Sequence, residues 1–193
     1  MVQFARMSKT MLKRTPTRAI LRPSLVCLLI LATFGAIAGP ATGKTKPKEP
    51  APRFNATTTG GEKFNNDSIK GKVVLLEFWT TWCGYCLQEA GFVDQINDEY
   101  AKKGLIILAI NVGESKKTVK KYLEQHPRKT RIVLMDDTNL AAMFEAKVYP
   151  IYVVIDRDGN VAGEQRGAAG EEALRDLLAR GGLEDEDDDK DDK

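Results

Sequence analysis

Two cysteines separated by two residues directly follow a strongly apolar run, and this arrangement constrains the fold more than any other feature. Residues 72–79 are almost continuously aliphatic and aromatic, which is typical of a strand buried on both faces. After Cys86, apolar residues recur at spacings of three and four as far as Tyr100, which predicts an amphipathic helix. Cys83 and Cys86 therefore belong to a strand-to-helix junction, with Cys83 at the helix N-terminus.

Strand and helix patterns continue to alternate as far as Leu183. Strand patterns occupy residues 105–112, 132–135, 151–155 and 161–165, and helical patterns occupy residues 115–126, 138–146 and 170–181. The dipeptide Asp158-Gly159 between the last two strand patterns predicts a hairpin turn. A βαβ unit, a linking helix, a hairpin and a terminal helix together predict an α/β fold. We expect a central mixed β-sheet with helices on both faces.

The N-terminal 38 residues have the composition of a targeting segment. They contain six basic residues and no acidic one, and they end in an apolar run over residues 25–38 with small residues at Ala36 and Ala38. We expect residues 1–38 to be a signal peptide or an N-terminal anchor. Either one implies an extracytoplasmic protein, whether periplasmic, secreted or membrane-anchored. Membrane contact would then involve only residues 24–38, and only if the segment stays uncleaved.

The remaining segments divide the chain by composition. Residues 39–52 hold four prolines and three lysines, which predicts a flexible linker, and residues 53–183 hold the apolar patterns of a domain. Residues 184–193 hold eight acidic and two basic residues, so we expect a disordered acidic tail. Once the basic and acidic ends are set aside, the domain is nearly neutral. This charge balance argues against a nucleic-acid-binding function.

The paired cysteines indicate thiol-disulfide exchange. Unpaired N–H groups and the dipole at a helix N-terminus favour a thiolate, so we expect Cys83 to be the nucleophile and Cys86 to resolve the mixed disulfide. This chemistry needs no cofactor beyond the Cys83–Cys86 disulfide itself. Zinc binding would require two further ligands, although the chain has one histidine, His126. A purely structural disulfide that closes so short a loop would contribute little stability.

Residues 75–89, with Trp-Cys-Gly-Tyr-Cys at their centre, resemble the active-site segment of the thioredoxin superfamily. Similarity over residues 68–75, 148–150 and 155–159 and over the terminal helix points to its TlpA/ResA-like branch of extracytoplasmic thiol-disulfide oxidoreductases. The resemblance covers nearly all of residues 53–183 and implies a thioredoxin-like fold. It also implies protein thiols and disulfides as substrates and an electron donor in the membrane.

The same resemblance implies roles for five further residues. Pro150 would be a cis-proline facing the cysteines, and the backbone at Tyr149 and Pro150 would pair with substrate. Glu77 would exchange a proton with the second cysteine, because a lone carboxylate in a buried apolar strand readily takes up a proton. The alternative for Glu77 is an exposed position at a sheet edge. Glu89 would tune the thiols or else be solvated, and Trp82 would shield the site.

Three positions depart from the family pattern. Gly84-Tyr85 lacks the proline that often precedes the second cysteine and matches a dipeptide of bacterial disulfide isomerases, Tyr149 replaces the usual threonine, and Gly91 replaces a helix proline. We therefore keep three hypotheses. The first is a reductase of extracytoplasmic protein disulfides, with apocytochrome c as one implied client. The second is a disulfide oxidase or isomerase, and the third is a redox-inert binding or chaperone module.

Overall fold

The computed structural model describes residues 48–168 and 170–183 of the 193-residue chain. The expected signal peptide or anchor over residues 1–38, linker residues 39–47 and the expected acidic tail over residues 184–193 lie outside the described residues. In the described ranges, none of the helices is both long enough and apolar enough to span a bilayer.

Within residues 48–168 and 170–183, the chain forms one mixed sheet of eight strands with four α-helices. The strands are β1 (Glu49–Pro50), β2 (Asn55–Thr58), β3 (Lys63–Asn65), β4 (Val73–Trp79), β5 (Leu105–Asn111), β6 (Arg131–Thr138), β7 (Ile151–Ile155) and β8 (Asn160–Arg166). The helices are α1 (Gly84–Tyr100), α2 (Lys116–Gln125), α3 (Leu140–Met143) and α4 (Glu171–Arg180), and a 3-10 turn (Ala101–Lys103) follows α1.

Strand β4 occupies the middle of the sheet because every one of its side chains is buried. It pairs in parallel with β5 and antiparallel with β7, and the strand order is β1-β8-β7-β4-β5-β6-β2-β3. The parallel β4–β5 pair requires a crossover connection, and α1 supplies it. The C-terminal end of β4 therefore leads directly into the cysteine segment.

Alternate side chains of β4 contribute to different cores on the two faces of the sheet. Val74, Leu76 and Phe78 lie in the core that Leu140 of α3 covers, whereas Val73 and Leu75 lie on the opposite face. That opposite face is covered by α1 and α4, and further along by α2. The expected α/β architecture, with a mixed sheet and helices on both faces, is confirmed.

The folded part begins earlier than the expected boundary at Arg53. Strand β1 lies inside the expected linker and pairs antiparallel with β8. The ammonium group of Lys48 donates to the carboxylate of Asp156 at 2.7 Å, and Ala51 is buried. A proline is compatible with this position because β1 is an edge strand, where the missing N–H costs no ladder hydrogen bond. The Pro/Lys-rich composition predicted a linker, although residues 49 and 50 form a short strand.

A second difference concerns the segment before β7. Strand β6 continues as far as Thr138, and α3 is a single turn instead of the expected helix over residues 138–146. The apolar residues of β6 predict a strand of only four residues, 132–135. The observed strand is longer because it pairs with both β5 and β2.

Candidate functional site

Cys83 and Cys86 form a disulfide at the start of α1. Cys83 is the N-cap residue of this helix, and its sulfur accepts a hydrogen bond from the backbone N–H of Cys86 at 3.1 Å. The buried strand β4 ends four residues before Cys83, and α1 begins at Gly84, so Cys83 lies at the turn between the strand and the helix. An N-cap sulfur with an N–H donor is placed to carry negative charge once the disulfide is reduced.

Two aromatic side chains next to the disulfide are mostly exposed. Trp82 is 72% exposed and Tyr85 is 62% exposed, whereas Cys83 is 7% exposed. The Trp82 ring meets the ring of Tyr149 edge-on at a centroid distance of 5.8 Å. Most of the Trp82 side chain faces solvent, and its role in shielding the site stays a prediction. Trp82 and Tyr85 provide exposed apolar surface beside the cysteines.

The Tyr149–Pro150 peptide bond is cis, and Tyr149 packs against the cluster that contains both cysteines. The hydroxyl of Tyr149 donates to the carbonyl of Ala146 at 3.0 Å, and burial, together with the nearby charge of Glu114, raises the pKa of this hydroxyl. The N–H of Gly167 donates to the carbonyl of Pro150 at 2.8 Å. These contacts fix the backbone of residues 149 and 150 beside the disulfide.

Glu77 is fully buried on β4, so the edge-exposed alternative is wrong. It is also not a lone carboxylate. The Arg128 guanidinium donates to its two oxygens at 2.9 and 3.4 Å, and the Arg128 Nε donates to Asp94 of α1 at 3.1 Å. Burial lowers the pKa of Arg128, but the charges of Glu77 and Asp94 outweigh burial and raise it overall. The carboxylate of Glu77 is therefore compensated by a cation that the sequence did not point to.

Glu89 is buried on α1 at 5% exposure, so the solvated alternative is wrong for this residue. One carboxylate oxygen accepts from the hydroxyl of Tyr152 at 2.8 Å, and the other accepts from the N–H of Gly170 at 2.7 Å. Burial, together with the charges of Glu77 and Glu89, raises the pKa of Tyr152, which keeps this phenol protonated. Glu89 thus connects the cysteine helix to β7 and to the start of α4.

Glu114 was not singled out by its sequence, yet it ties down the loop that precedes the cysteines. Its carboxylate accepts from the N–H of Thr81 at 2.7 Å, from the hydroxyl of Thr81 at 2.5 Å and from the side-chain amide of Asn111 at 2.8 Å. Because Thr81 is two residues before Cys83, Glu114 fixes the approach of the chain to the helix N-terminus.

Comparisons with known proteins decide the family of this chain. The sequence pattern of the Redoxin family matches residues 46–178. The chain belongs to the redoxin family. ResA, a thiol-disulfide oxidoreductase of Bacillus cereus, is 30% identical to this redoxin over 130 residues, which is 67% of this chain and 75% of ResA. The Bacillus subtilis ResA is 28% identical over 156 residues, which is 80% of this chain and 86% of that protein.

Solved structures agree with this assignment. A putative thiol:disulfide interchange protein DsbE from Chlorobium tepidum superposes with a TM-score of 0.62 at 26% identity, covering 69% of this redoxin and 96% of that chain. The redoxin therefore has the thioredoxin-like fold and is a ResA/TlpA-like member of the thioredoxin superfamily. Together with the Cys83–Cys86 disulfide, these relatives identify it as a thiol-disulfide oxidoreductase.

One further contact holds the segment that leads to Pro150 in this redoxin. The Arg166 guanidinium donates to the carbonyls of Phe144 at 2.9 Å and of Glu145 at 3.4 Å. Glu145 has a φ of 47°, which a non-glycine residue adopts only when its surroundings hold it there. Arg166 on β8 thus binds the two carbonyls that directly follow α3.

Proposed function

We propose that this redoxin is a reductase of protein disulfides outside the cytoplasm, with Cys83 as nucleophile and Cys86 as resolving cysteine. The observation that carries the proposal is the N-cap position of Cys83, whose sulfur accepts the N–H of Cys86. A thiolate at this position is stabilised by the helix N-terminus, whereas a thiol one turn later lacks that stabilisation. The two cysteines therefore have different roles.

The reaction begins with the reduced dithiol. The Cys83 thiolate attacks one sulfur of the client disulfide, the client S–S bond breaks, and the departing client thiolate takes up a proton. Because Trp82 and Tyr85 offer exposed apolar surface beside Cys83, they are proposed to hold the client segment. The backbone of Tyr149 and Pro150 is proposed to pair with that segment.

In the second step, Cys86 loses its proton and attacks the sulfur of Cys83. The mixed disulfide breaks, the second client thiol leaves, and the Cys83–Cys86 disulfide forms, so two electrons have passed to the client. A membrane-bound dithiol donor is proposed to reduce this disulfide again.

A buried carboxylate is proposed to take the proton of Cys86. There are two candidates, namely Glu77 on β4, whose charge is compensated by Arg128, and Glu89 on α1 itself, which Tyr152 and Gly170 hold by hydrogen bonds. The variants Glu77→Gln and Glu89→Gln separate the two. The substitution that removes the acceptor slows decay of the mixed disulfide, whereas the other leaves that step unchanged.

The proposed location rests on the basic and apolar pattern of residues 1–38, which is that of a signal peptide or an anchor. Clients in such a compartment would be proteins that carry oxidised cysteine pairs. Apocytochrome c, whose cysteine pair must be reduced before haem attachment, is the client that the TlpA-like resemblance suggests.

A redox titration of the full chain in glutathione or dithiothreitol buffers tests the direction of electron flow. The fraction of oxidised protein is followed by the mass added when free thiols are alkylated. We expect a midpoint near or below about −270 mV, as for a reductase, whereas a midpoint near about −120 mV would assign an oxidase and overturn the proposal. That second result would agree with the Gly84-Tyr85 dipeptide.

Single-cysteine variants test the two roles. We expect Cys83→Ala to abolish disulfide reduction and Cys86→Ala to trap a mixed disulfide with an oxidised protein substrate. A Cys83→Ala protein that still reduces such a substrate would show that the nucleophile is assigned wrongly. A parent protein that binds such a substrate without reducing it, with binding unchanged in both variants, would support the redox-inert alternative.

A further inference from the structure

Helix α2 presents a lysine face to solvent. Lys116, Lys117, Lys120 and Lys121 are all exposed, and this group is called the α2 lysine face below. Two of the four lysines occupy the first helical turn, which contains no acidic residue. Positive charge at a helix N-terminus opposes the helix dipole, so this arrangement does not serve the stability of the helix. An anionic partner would make the same arrangement favourable.

The opposite side of α2 fixes this face next to the disulfide. Val119 is buried, and Tyr122 and Leu123 pack against the same apolar cluster that contains Cys83 and Cys86. The α2 lysine face is therefore held in a constant position relative to the reacting sulfurs.

A surface cavity connects the lysines with the active-site loop. It has a volume of about 320 Å³, and it is lined by Thr81, Lys117, Thr118, Lys121, Tyr122 and Gln125. Thr81 is two residues before Cys83, so a chain that enters the active site beside this loop passes two ammonium groups. The cavity is large enough for one or two side chains of a client.

The acidic groups close to the face do not cancel its charge. Glu114 accepts hydrogen bonds from Thr81 and Asn111, which are neutral groups and do not offset a carboxylate charge, and Glu124 lines a second cavity together with Lys116 and Lys120. Further along, Asp94 and Asp98 are paired with Arg128 and Lys129. The four exposed lysines outnumber the two carboxylates of Glu114 and Glu124, so the surface around α2 is positive.

We propose that the α2 lysine face is a docking surface for acidic segments that flank the disulfide of a client protein. This inference rests on the proposed function, because it names the class of client that the same cysteines prefer. Opposite charges within about one Debye length, roughly 8–10 Å, steer association and raise its rate. An acidic client would therefore meet Cys83 more often than a basic client with the same disulfide.

Two synthetic peptides test the preference. Both contain the same disulfide and the same neighbouring residues, and they differ in three aspartates or three lysines on one flank. We expect reduced full-length protein to reduce the acidic peptide with a kcat/KM about tenfold above that of the basic peptide at low salt. In about 0.5 M salt, where charges are screened over a few ångströms, the two values should converge.

The matched variants are Lys117→Glu/Lys121→Glu and Lys72→Glu/Lys102→Glu. The first pair lines the cavity, and acidic residues near the start of α2 suit the helix dipole, so the variant should fold. The second pair is equally exposed but lies where β4 begins and α1 has ended, at the opposite end of the sheet from Cys83. We expect the first variant to reverse the peptide preference and the second to retain it.

Three results would overturn the docking proposal. Equal rates for the two peptides, or an equal loss of preference in both double variants, would show that the α2 lysine face does not select clients. If the protein prefers the acidic peptide only after residues 184–193 are removed, the acidic tail of the chain itself, and not a client, binds to the α2 lysine face. A further measurement uses 2-hydroxyethyl disulfide, which is small and uncharged and therefore does not need the α2 lysine face. If the parent protein reduces it but shows no peptide preference, only the docking proposal fails. If the parent protein does not reduce it, the proposed function fails as well.

Discussion

The guanidinium of Arg128 lies 2.9 Å from the carboxylate of Glu77, and both side chains are almost completely removed from solvent. Removing one member of a buried ion pair leaves the other without compensation. We therefore expect Arg128→Met to lower the free energy of unfolding by about 3–5 kcal/mol, measured by urea denaturation.

Two controls belong to this experiment. Arg131 pairs with Glu62 at 3.4 Å, with both side chains substantially exposed, so Arg131→Met should cost less than about 1 kcal/mol. The double variant Glu77→Gln/Arg128→Met should be more stable than the sum of the single variants predicts, because no bare charge remains on β4. Strict additivity would contradict a direct coupling of the two groups.

Glu114 stabilises the loop before the cysteines through three hydrogen bonds, two from Thr81 and one from Asn111. Hydrogen bonds to a charged acceptor contribute about 1.5–3 kcal/mol each when they are lost, so Glu114→Gln should cost an amount in that range. Amide hydrogen exchange at Thr81 should become faster. The exposed Glu124→Gln on the neighbouring helix serves as control, and an equal effect there would argue against a specific role of Glu114.

Arg166 donates to the carbonyls of Phe144 and Glu145, just before the segment that leads to Pro150. Without these donors the segment gains freedom, so Arg166→Ala should speed hydrogen exchange over residues 145–148. It should also raise KM for a protein substrate severalfold with little change in kcat. Glu164→Ala removes the ion pair of Arg166 but leaves both of its bonds to the carbonyls possible, and it should have neither effect.

Two glycines predict opposite responses to the same substitution. Gly91 lies exposed within α1 with open space around its Cα, so Gly91→Ala should raise stability by up to about 1 kcal/mol. At Gly181 an added Cβ would come within 2.5 Å of Val154 Cγ1 and 3.1 Å of Val73 Cγ1. Gly181→Ala should therefore cost about 1–3 kcal/mol. Thermal unfolding of both variants checks the signs.

Asp156 predicts a pH-dependent contribution to stability. Burial raises the pKa of its carboxyl group, but the hydrogen bond from Lys48 and those from the N–H groups of Asn160 and Asp158 more than offset burial and lower it overall. A carboxyl with a lowered pKa stabilises the fold above its unfolded pKa of about 3.9, and the contribution is lost as the pH falls through the folded value.

Asp156→Asn should therefore be about 1–2 kcal/mol less stable than the parent protein at pH 7. The difference should shrink below about pH 4, where the parent carboxyl takes up its proton. Asp176, exposed on α4, provides the control, because Asp176→Asn should change the free energy of unfolding by no more than about 0.5 kcal/mol at pH 7. A constant gap for Asp156→Asn from pH 7 to 3 would contradict the assignment.

The sequence predicted those parts of the fold that depend on local patterns. Strand β4 was recognisable because a strand buried on both faces needs continuous apolar residues, and α2 because Ser115 caps it through the N–H of Thr118. Strand β1 was missed because its two residues form a strand only through their pairing with β8. Its composition is that of a linker, and the partner strand lies more than one hundred residues later.

In the cysteine site, too, features that depend on neighbouring residues could be predicted, and features that depend on distant residues could not. The disulfide and the N-cap position of Cys83 depend on neighbours in the chain and could be predicted. Arg128 could not be assigned to Glu77, because 51 residues separate them and an arginine before a strand is ordinarily a solvated side chain. A buried carboxylate in an apolar strand is itself the signal that a cation must be sought elsewhere in the chain.

Glu89 has a mechanical consequence. Its carboxylate joins α1, which carries Cys86, to Tyr152, two residues after Pro150, and to Gly170 at the entrance to α4. A load on a client chain bound to Cys83, as proposed above, would therefore be carried by β7 and the start of α4 as well as by the helix. The proposed nucleophile and the proposed client-binding backbone would share one hydrogen-bonded support, and Glu89→Ala would remove it.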